Sequence, residues 1–243
     1  MGNHEHAYEW SHYTERFRNM PHSNDTVKTD NGEAPNNWFF SWDYGNVHFA
    51  AINTEVLFVE SHHDWIKKQY EWLENDLKNV DRTRTPWVVV HGHRPMYCSC
   101  DTDCDHAAAV TRTGAFFYKS FGLEKLLYDY GVDLYIAGHE HNYERMYDVY
   151  DEKTTQSTTN PPATVHIITG DAGGPEQHEK FKRPQPDRTA FRTDAYGYSR
   201  MTVFNATTLL WEQVETDTDA NIEGKVIDSV FITQEKHGPF ARR

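Results

Sequence analysis

The sequence predicts a single α/β domain spanning residues 1–243. Apolar strand-like runs alternate with amphipathic segments along the first two thirds of the chain, and a run of strands follows. The length suits one large domain. A hydrophobic content of 37% with 14% aromatic residues is sufficient to build a core. Internal repeats and low-complexity linkers are absent from the sequence, so nothing in it suggests a division into separate units.

The first predicted elements are a short helix near 8–18, a β-hairpin over 38–53 and a helix over 64–80. In the hairpin, aromatic and β-branched residues flank Gly45-Asn46, a pair that favours a tight turn. The helix is predicted because Trp65, Trp72 and other apolar residues recur at helical spacing, with charged residues between them.

Two buried strands are predicted further along, at 87–90 and 134–137, because both segments are short and continuously apolar. The Asp- and Thr-rich segment between them is expected to be a loop ending near Gly114, followed by a helix over 116–130 that is interrupted at Gly122. The remaining predictions are strands at 146–150, 164–169, 198–204, 208–214 and 226–233, with a loop over 175–196.

Net charge, apolar run lengths and glycosylation sequons limit the possible functions and cellular compartments of the protein. A net charge of −13, dispersed along the chain, disfavours nucleic-acid and anionic-membrane binding, since both need a basic face. No apolar run approaches the roughly 18 residues of a membrane span, and no signal peptide opens the chain. Two glycosylation sequons, at Asn24 and Asn205, are compatible with a secreted or lysosomal protein.

Three cysteines, Cys98, Cys100 and Cys104, lie close together in one segment. A zinc site would need four ligands, typically with Cys-x-x-Cys spacing, and that spacing is absent. We therefore expect one local disulfide and one spare thiol. The sequence leaves the pairing open.

The chemistry-bearing pattern is an apolar strand followed by glycine and histidine. It occurs at 88–93 and 136–141, and Gly2-Asn3-His4 shares its glycine and histidine. Loops at the ends of central strands commonly carry the active site of α/β folds, and imidazole with an asparagine oxygen suits a divalent or trivalent metal. A fourth segment, 167–174, ends in glycines whose N–H groups suit an anion. The alternative is that these histidines are merely polar residues at strand ends.

Three ordered motifs carry a family resemblance: Gly2-Asn3-His4-Glu5, Val90-His91-Gly92-His93 and Gly138-His139-Glu140-His141. With their flanks, they resemble the last three of the five motif blocks of purple acid phosphatases, which are calcineurin-like metallophosphoesterases. The long animal form is the most similar. The resemblance implies a four-layer α/β/β/α sandwich and a dinuclear site that holds Fe and a divalent metal, which is Zn, Mn or Fe.

The resemblance also implies residue roles. Asn3, His93 and His139 match ligands of the divalent metal, and His141 matches a ligand of the iron. His4 matches the histidine that contacts substrate phosphate or assists the leaving group. His106 is a weaker match to a substrate-binding histidine. His91 then falls inside its strand, where we expect a structural role.

The family's first two motif blocks lie upstream of Gly-Asn-His-Glu and have no counterpart here. Four of the usual metal ligands are matched, and two aspartates and a tyrosine are not. The resemblance therefore implies an N-terminally truncated domain that lacks the first strands of its sheet. Two hypotheses follow. The chain is an acid phosphatase that hydrolyses small phosphomonoesters with a metal-bound hydroxide, or it is a non-catalytic remnant that binds at most one metal.

Overall fold

The computed structural model describes residues 1–20, 25–29, 32–59, 63–101, 103–114, 121–174, 176–216 and 224–242. A 3₁₀ helix, Asn3–Trp10, opens the chain. The α-helices are α1 (Ser11–Arg16), α2 (His63–Asn79), α3 (Asp103–Thr113) and α4 (Leu123–Tyr130). The strands are β1 (Thr26–Thr29), β2 (Gly32–Pro35), β3 (Phe40–Tyr44), β4 (Val47–Ala51), β5 (Trp87–His91), β6 (Leu134–Ala137), β7 (Tyr143–Asp148), β8 (Val165–Thr169), β9 (Thr189–Thr193), β10 (Gly197–Val203), β11 (Thr208–Glu215) and β12 (Lys225–Thr233).

A mixed seven-stranded sheet forms the centre of the fold, in the order β3-β4-β5-β6-β8-β7-β9. Strands β4, β5, β6 and β8 are parallel, so their carboxyl ends meet at one edge of the sheet. Strands β10, β11 and β12 form a separate antiparallel sheet, and β1 pairs with β2. The central strand β5 is a continuous apolar run because both faces of the sheet are covered.

The described residues form three successive layers. Helices cover one face of the large sheet, with Leu73 of α2 and Leu127 of α4 in the same buried cluster as Val88. The three-stranded sheet covers the other face, where Leu209 packs with Leu134. The outer face of the small sheet exposes Phe204 and Phe231. The predicted α/β class is confirmed.

Most predicted elements are confirmed, including the hairpin β3–β4, helix α2, strands β5, β6 and β8, and the three C-terminal strands. The strand expected at 146–150 is found earlier, as β7. Residues 116–120 of the second predicted helix lie outside the described residues, and α4 begins after Gly122, its N-cap residue.

Two loop predictions were wrong. The cysteine segment contains helix α3, because the helix formers of its alanine run outweigh its Asp and Thr content and Cys104 and Ala108 pack into the core. The loop expected over 175–196 contains β9, which pairs with β7 at the sheet edge. Among the described residues, no helix has both the length and the apolarity that crossing a membrane requires.

A buried histidine fastens the β3–β4 hairpin to α2. The two ring nitrogens of His48 each lie 2.8 Å from a carboxylate, Asp43 on one side and Asp76 on the other. Burial, the largest single effect, lowers the pKa of His48, but the hydrogen bonds and charges of Asp76 and Asp43 outweigh it and the net pKa is raised. The protonated ring, which donates to both carboxylates, is therefore favoured in the folded protein.

This contact makes stability depend on pH. Because the folded-state pKa of His48 is raised above the unfolded value of about 6.5, its contribution is complete below that value and is lost as pH rises through the folded-state pKa. We expect His48→Gln to lower the free energy of unfolding by about 1.5–3 kcal/mol at pH 5.5 and by clearly less at pH 9. Urea denaturation at both pH values measures this difference, and an equal loss at both would contradict the charged clamp.

Candidate metal centre

The loops after β5 and β6 bring two predicted histidines together. The strands are parallel neighbours, and two backbone hydrogen bonds continue the pairing beyond their ends: Gly92 N–H donates to Ile136 O at 3.1 Å, and Gly138 N–H donates to His93 O at 3.0 Å. His93 Nε2 then lies 3.0 Å from His139 Nδ1. Neither histidine is within its strand, so each ring is carried by a turn at the same sheet edge.

The N-terminal 3₁₀ helix adds the third predicted residue. Asn3 Oδ1 lies 2.8 Å from His93 Nε2. The helix start is held by Glu5, whose Oε2 accepts a hydrogen bond from Gly2 N–H at 2.6 Å. Gly2 packs directly on the His93 ring, and a Cβ at this position would lie 2.9 Å from it. Glycine therefore permits the close approach that places Asn3 beside His93.

The backbone at His139 is unusual, with a φ of 66° in the left-handed region. A non-glycine residue in this conformation costs of order 1 kcal/mol and is often found at functional sites. The two histidines of this turn have different surroundings: His139 contacts His93, whereas His141 lies near Glu176.

An arginine that the sequence analysis did not single out holds His139. Arg94 Nη1 donates a hydrogen bond to His139 Nε2 at 3.0 Å. The same guanidinium pairs with the buried carboxylate of Glu55, through Nε at 2.8 Å and Nη2 at 3.1 Å. Arg94 directly follows a predicted ligand in sequence, but the Glu55 partnership crosses 39 residues and has no local signal.

The hydrogen bonds of this cluster depend on which ring nitrogens of His93 and His139 carry protons. Neutral imidazole carries one proton, and the ring nitrogen of His139 that accepts from Arg94 has none. His139 Nδ1 then carries the proton and donates to His93 Nε2, so that His93 Nε2 meets Asn3 Oδ1 lone pair to lone pair. The opposite assignment sets His139 Nε2–H against Arg94. With the Asn3 oxygen toward His93, one of these contacts is unfavourable in either assignment, and either a metal ion between the groups or a flip of the Asn3 amide removes the conflict.

A metal ion fits this donor set. One amide oxygen and two imidazole nitrogens converge within 3.0 Å contacts, which is the chemistry of a borderline divalent cation. Burial, followed by the charges of His139, the N-terminal amine and Arg94, lowers the pKa of His93 to about 3, so the ring keeps its lone pair at neutral pH. Ligation through His139 Nδ1 would require the Arg94 contact to open.

The other two predicted residues lie on either side of a carboxylate. Glu176 Oε1 lies 3.4 Å from His4 Nε2, and Glu176 Oε2 lies 3.7 Å from His141 Nε2. The three side chains are partly open to solvent, with exposures of 64% for His4, 55% for Glu176 and 33% for His141. His141 Nδ1 donates to Gln177 O at 3.4 Å, which leaves Nε2 as the ligand-type atom. The sequence analysis did not single out Glu176, which lies in the segment predicted as a loop over 175–196.

The glycine segment after β8 lies beside His141. Gly170, Gly173 and Gly174 line a small pocket together with His141 and Glu176. Gly170 has no room for a side chain, since a Cβ would lie 2.1 Å from Glu140 O. The predicted anion-binding role of these glycines stays a prediction, and the pocket places them next to a candidate ligand.

Asp171 is a further acidic group of this pocket. Burial raises the pKa of Asp171 to about 6. Its Oδ2 accepts a hydrogen bond from Gln213 Nε2 at 2.5 Å, whereas Oδ1 has no partner among the described residues. The C-terminal sheet thus reaches the candidate site through Gln213.

The remaining predicted residues lie elsewhere. His91 packs against Trp42 at a ring distance of 5.8 Å, which agrees with the expected structural role. His106 is exposed on α3, and none of the described contacts joins it to the two histidine groups. Asn205 is exposed in the β10–β11 turn, and Asn24 lies outside the described residues.

Comparison with known proteins identifies the family. The family model of the calcineurin-like phosphoesterases matches residues 1–143, and that of the iron/zinc purple acid phosphatase-like protein C matches residues 163–229. The chain belongs to the calcineurin-like phosphoesterases. Phosphoester hydrolysis is the chemistry of its acid phosphatase relatives, and the family resemblance and the expected calcineurin-like α/β fold are confirmed. The described residues form three of the four expected layers.

Acid phosphatase type 7 of Danio rerio is 42% identical over 257 residues, covering 100% of this chain and 54% of that protein. The Homo sapiens protein of the same name is 37% identical, covering 98% of this chain and 52% of its own length. The structure of purple acid phosphatase PPD1 from yellow lupin superposes with a TM-score of 0.61 at 28% identity, over 81% of this chain and 32% of that one. The chain spans about half the length of the curated relatives it matches.

Gly170 and Gly174 provide a matched test of how the two loops are packed. We expect Gly170→Ala to lower the free energy of unfolding by about 1–3 kcal/mol or more, because its Cβ would overlap the backbone of Glu140, between His139 and His141. Gly174→Ala should have little effect, since a Cβ there would have no described atom beyond its chain neighbours within 4 Å. Urea denaturation of both variants measures the difference, and equal stability would show that the loops are not in contact.

Proposed function

We propose that this chain hydrolyses small phosphomonoesters at a metal centre built on Asn3, His93 and His139. The observation that supports it most directly is the convergence of the Asn3 oxygen and two imidazole nitrogens at the carboxyl ends of parallel strands. These groups come from three separate parts of the sequence, and the protein belongs to a phosphoesterase family. A net charge of −13 disfavours polyanionic substrates and leaves small esters as the preferred class.

The proposed centre is dinuclear. Asn3, His93 and His139 would hold the divalent ion, which is Zn, Mn or Fe, and His141 with Glu176 would contribute to an iron position. When bound, the metals supply positive charge to the phosphoryl group and acidify the attacking water. Glu176 offers a carboxylate beside His141, the ligand type of the family's unmatched aspartates.

The chain's own residues have separate roles in this proposal. His4 lies at the solvent-open side of the cluster and, paired with Glu176, would donate a proton to the leaving oxygen. The N–H groups of Gly173 and Gly174 would orient phosphate oxygens in the pocket beside His141. His106 remains proposed as a substrate contact, and its exposure leaves it accessible to a ligand.

A secreted or lysosomal location belongs to the same proposal. A disulfide joins Cys98 and Cys104, and disulfides persist mainly in oxidising compartments. The exposed sequon residue Asn205 is compatible with glycosylation in the secretory pathway.

A non-catalytic protein that holds at most one metal is the second candidate. The observation that favours it is the uneven ligand supply: three donor residues meet at the His93 position, whereas His141 has the half-exposed Glu176 at 3.7 Å. Within the described residues, no group of three or more His, Cys, Asp or Glu side chains with metal-binding spacing includes His141.

Metal content distinguishes the two candidates. We expect the purified 243-residue protein to contain nearly two metal ions per chain by elemental analysis, and His139→Ala to lose the divalent ion. Phosphatase activity should fall at least about 100-fold in that variant, because a ligand is removed. His6→Ala serves as the control, since His6 is an exposed histidine outside the cluster. One ion or none in the unaltered protein supports the non-catalytic candidate, and unchanged turnover in His139→Ala contradicts the assigned centre.

The role of His4 is testable through the leaving group. We expect His4→Asn to reduce kcat about 100-fold or more for phenyl phosphate, whose leaving oxygen needs a proton, and much less for p-nitrophenyl phosphate. Metal content should be unchanged, because His4 is not assigned as a ligand. An equal reduction for both esters would assign His4 to binding instead of proton donation.

A further inference from the structure

A second group of metal-ligand atoms lies on the opposite side of the His139–His141 loop. It consists of the three cysteine sulfurs and the carboxylate of Glu140, and all four ligand atoms lie within 4.8 Å of one another. The group is buried: the three cysteines are at most 2% exposed and Glu140 is 8% exposed. Glu140 is remote from the cysteines in sequence, which is why the cysteine spacing alone excluded a zinc site.

The ligand atoms of the group lie as close together as, or closer than, the ligands of one tetrahedral ion, apart from pairs that reach up to 4.8 Å. Cys100 Sγ lies 2.8 Å from Glu140 Oε2 and 3.1 Å from Cys104 Sγ, and Cys98 Sγ lies 3.8 Å from Glu140 Oε1. Zinc with Zn–S bonds of about 2.3 Å holds its ligand atoms roughly 3.5–3.8 Å apart. On reduction, the bonded sulfurs of Cys98 and Cys104 would have to separate by more than about 1 Å, and the Cys100 contacts would lengthen by roughly 0.6–0.7 Å, to reach that arrangement.

The cysteine loop is fixed by positive side chains. Arg188 donates to Cys98 O at 2.7 Å, Arg183 to Asp101 O at 3.0 Å, and Arg192 to Ser99 Oγ at 2.8 Å. Three guanidinium groups therefore hold one short loop in place. Such support would orient the ligands before any ion arrives.

We propose that Cys98, Cys100, Cys104 and Glu140 form a binding site for one zinc-like divalent cation when the Cys98–Cys104 disulfide is reduced. A dithiol supplies the two electrons and two protons: the S–S bond breaks, two S–H groups form, and the dithiol becomes a disulfide. The cation then displaces the three thiol protons, together with the carboxyl proton wherever Glu140 is neutral, into solvent and bonds three thiolates and one carboxylate. The disulfide and the metal are mutually exclusive, and Cys100, which the disulfide does not use, completes the site.

Cadmium titration tests the site, because thiolate–cadmium bonds give an ultraviolet charge-transfer band that histidine and asparagine ligands do not. The protein is reduced with a dithiol, desalted without oxygen and titrated with Cd²⁺. We expect one cadmium-thiolate site per chain, with a band that Cys100→Ser reduces by about one third, in proportion to the thiolates lost. Glu140→Gln should retain the band and weaken binding about tenfold or more.

The controls separate this site from the phosphatase centre. Oxidised protein should give no comparable band, and His139→Ala should leave the band of the reduced protein intact. Oxidised Cys100→Ser, which can still form the Cys98–Cys104 disulfide, provides a folding control by circular dichroism. Absence of the band in reduced protein, or a band that Cys100→Ser does not change, would overturn the proposal.

Discussion

The parallel pairing of β5 with β6 is the constraint on which the candidate site depends. Its register, with Val90 opposite Tyr135, ends the two strands within one residue of each other. The backbone hydrogen bond from Gly138 to His93 O extends that alignment into the loops. Because the sheet holds the two turns together, it also brings the imidazoles of His93 and His139 together. The N-terminal 3₁₀ helix needs only to add Asn3 at one side.

The sequence predicted the parts of the fold in which local pattern and tertiary environment agree. Continuous apolar runs identified β5 and β6, and helical spacing identified α2. The prediction failed where packing outweighs composition: α3 is polar at its start, but Cys104 and Ala108 face the core, and the polar strand β9 is stabilised by its pairing with β7. Strand order could not be predicted from periodicity, because periodicity reports which face is buried and not which strand is adjacent.

The candidate site likewise contains some residues that the sequence predicted and others that it did not. Asn3, His93 and His139 were recognisable because each follows a glycine-containing turn in an ordered motif. Glu55 and Glu176 were not, because their importance arises from distances to residues far away in sequence. Glu55 is a buried carboxylate that fixes Arg94, and Arg94 in turn determines which nitrogen of His139 carries a lone pair. This coupling means that the ligand competence of His139 depends on a residue far from it along the chain.

Glu140 connects the candidate metal centre to the buried sulfurs. It lies between His139 and His141, yet its side chain faces the opposite side of the loop and contacts Cys100. Burial, together with its contact to Glu179, raises the pKa of Glu140. The contact between Glu140 and Cys100 therefore joins the His139–His141 turn to the cysteine loop. The two groups meet at the turn where the backbone of His139 is left-handed: the His139 ring contacts His93, and the side chain of Glu140 contacts Cys100.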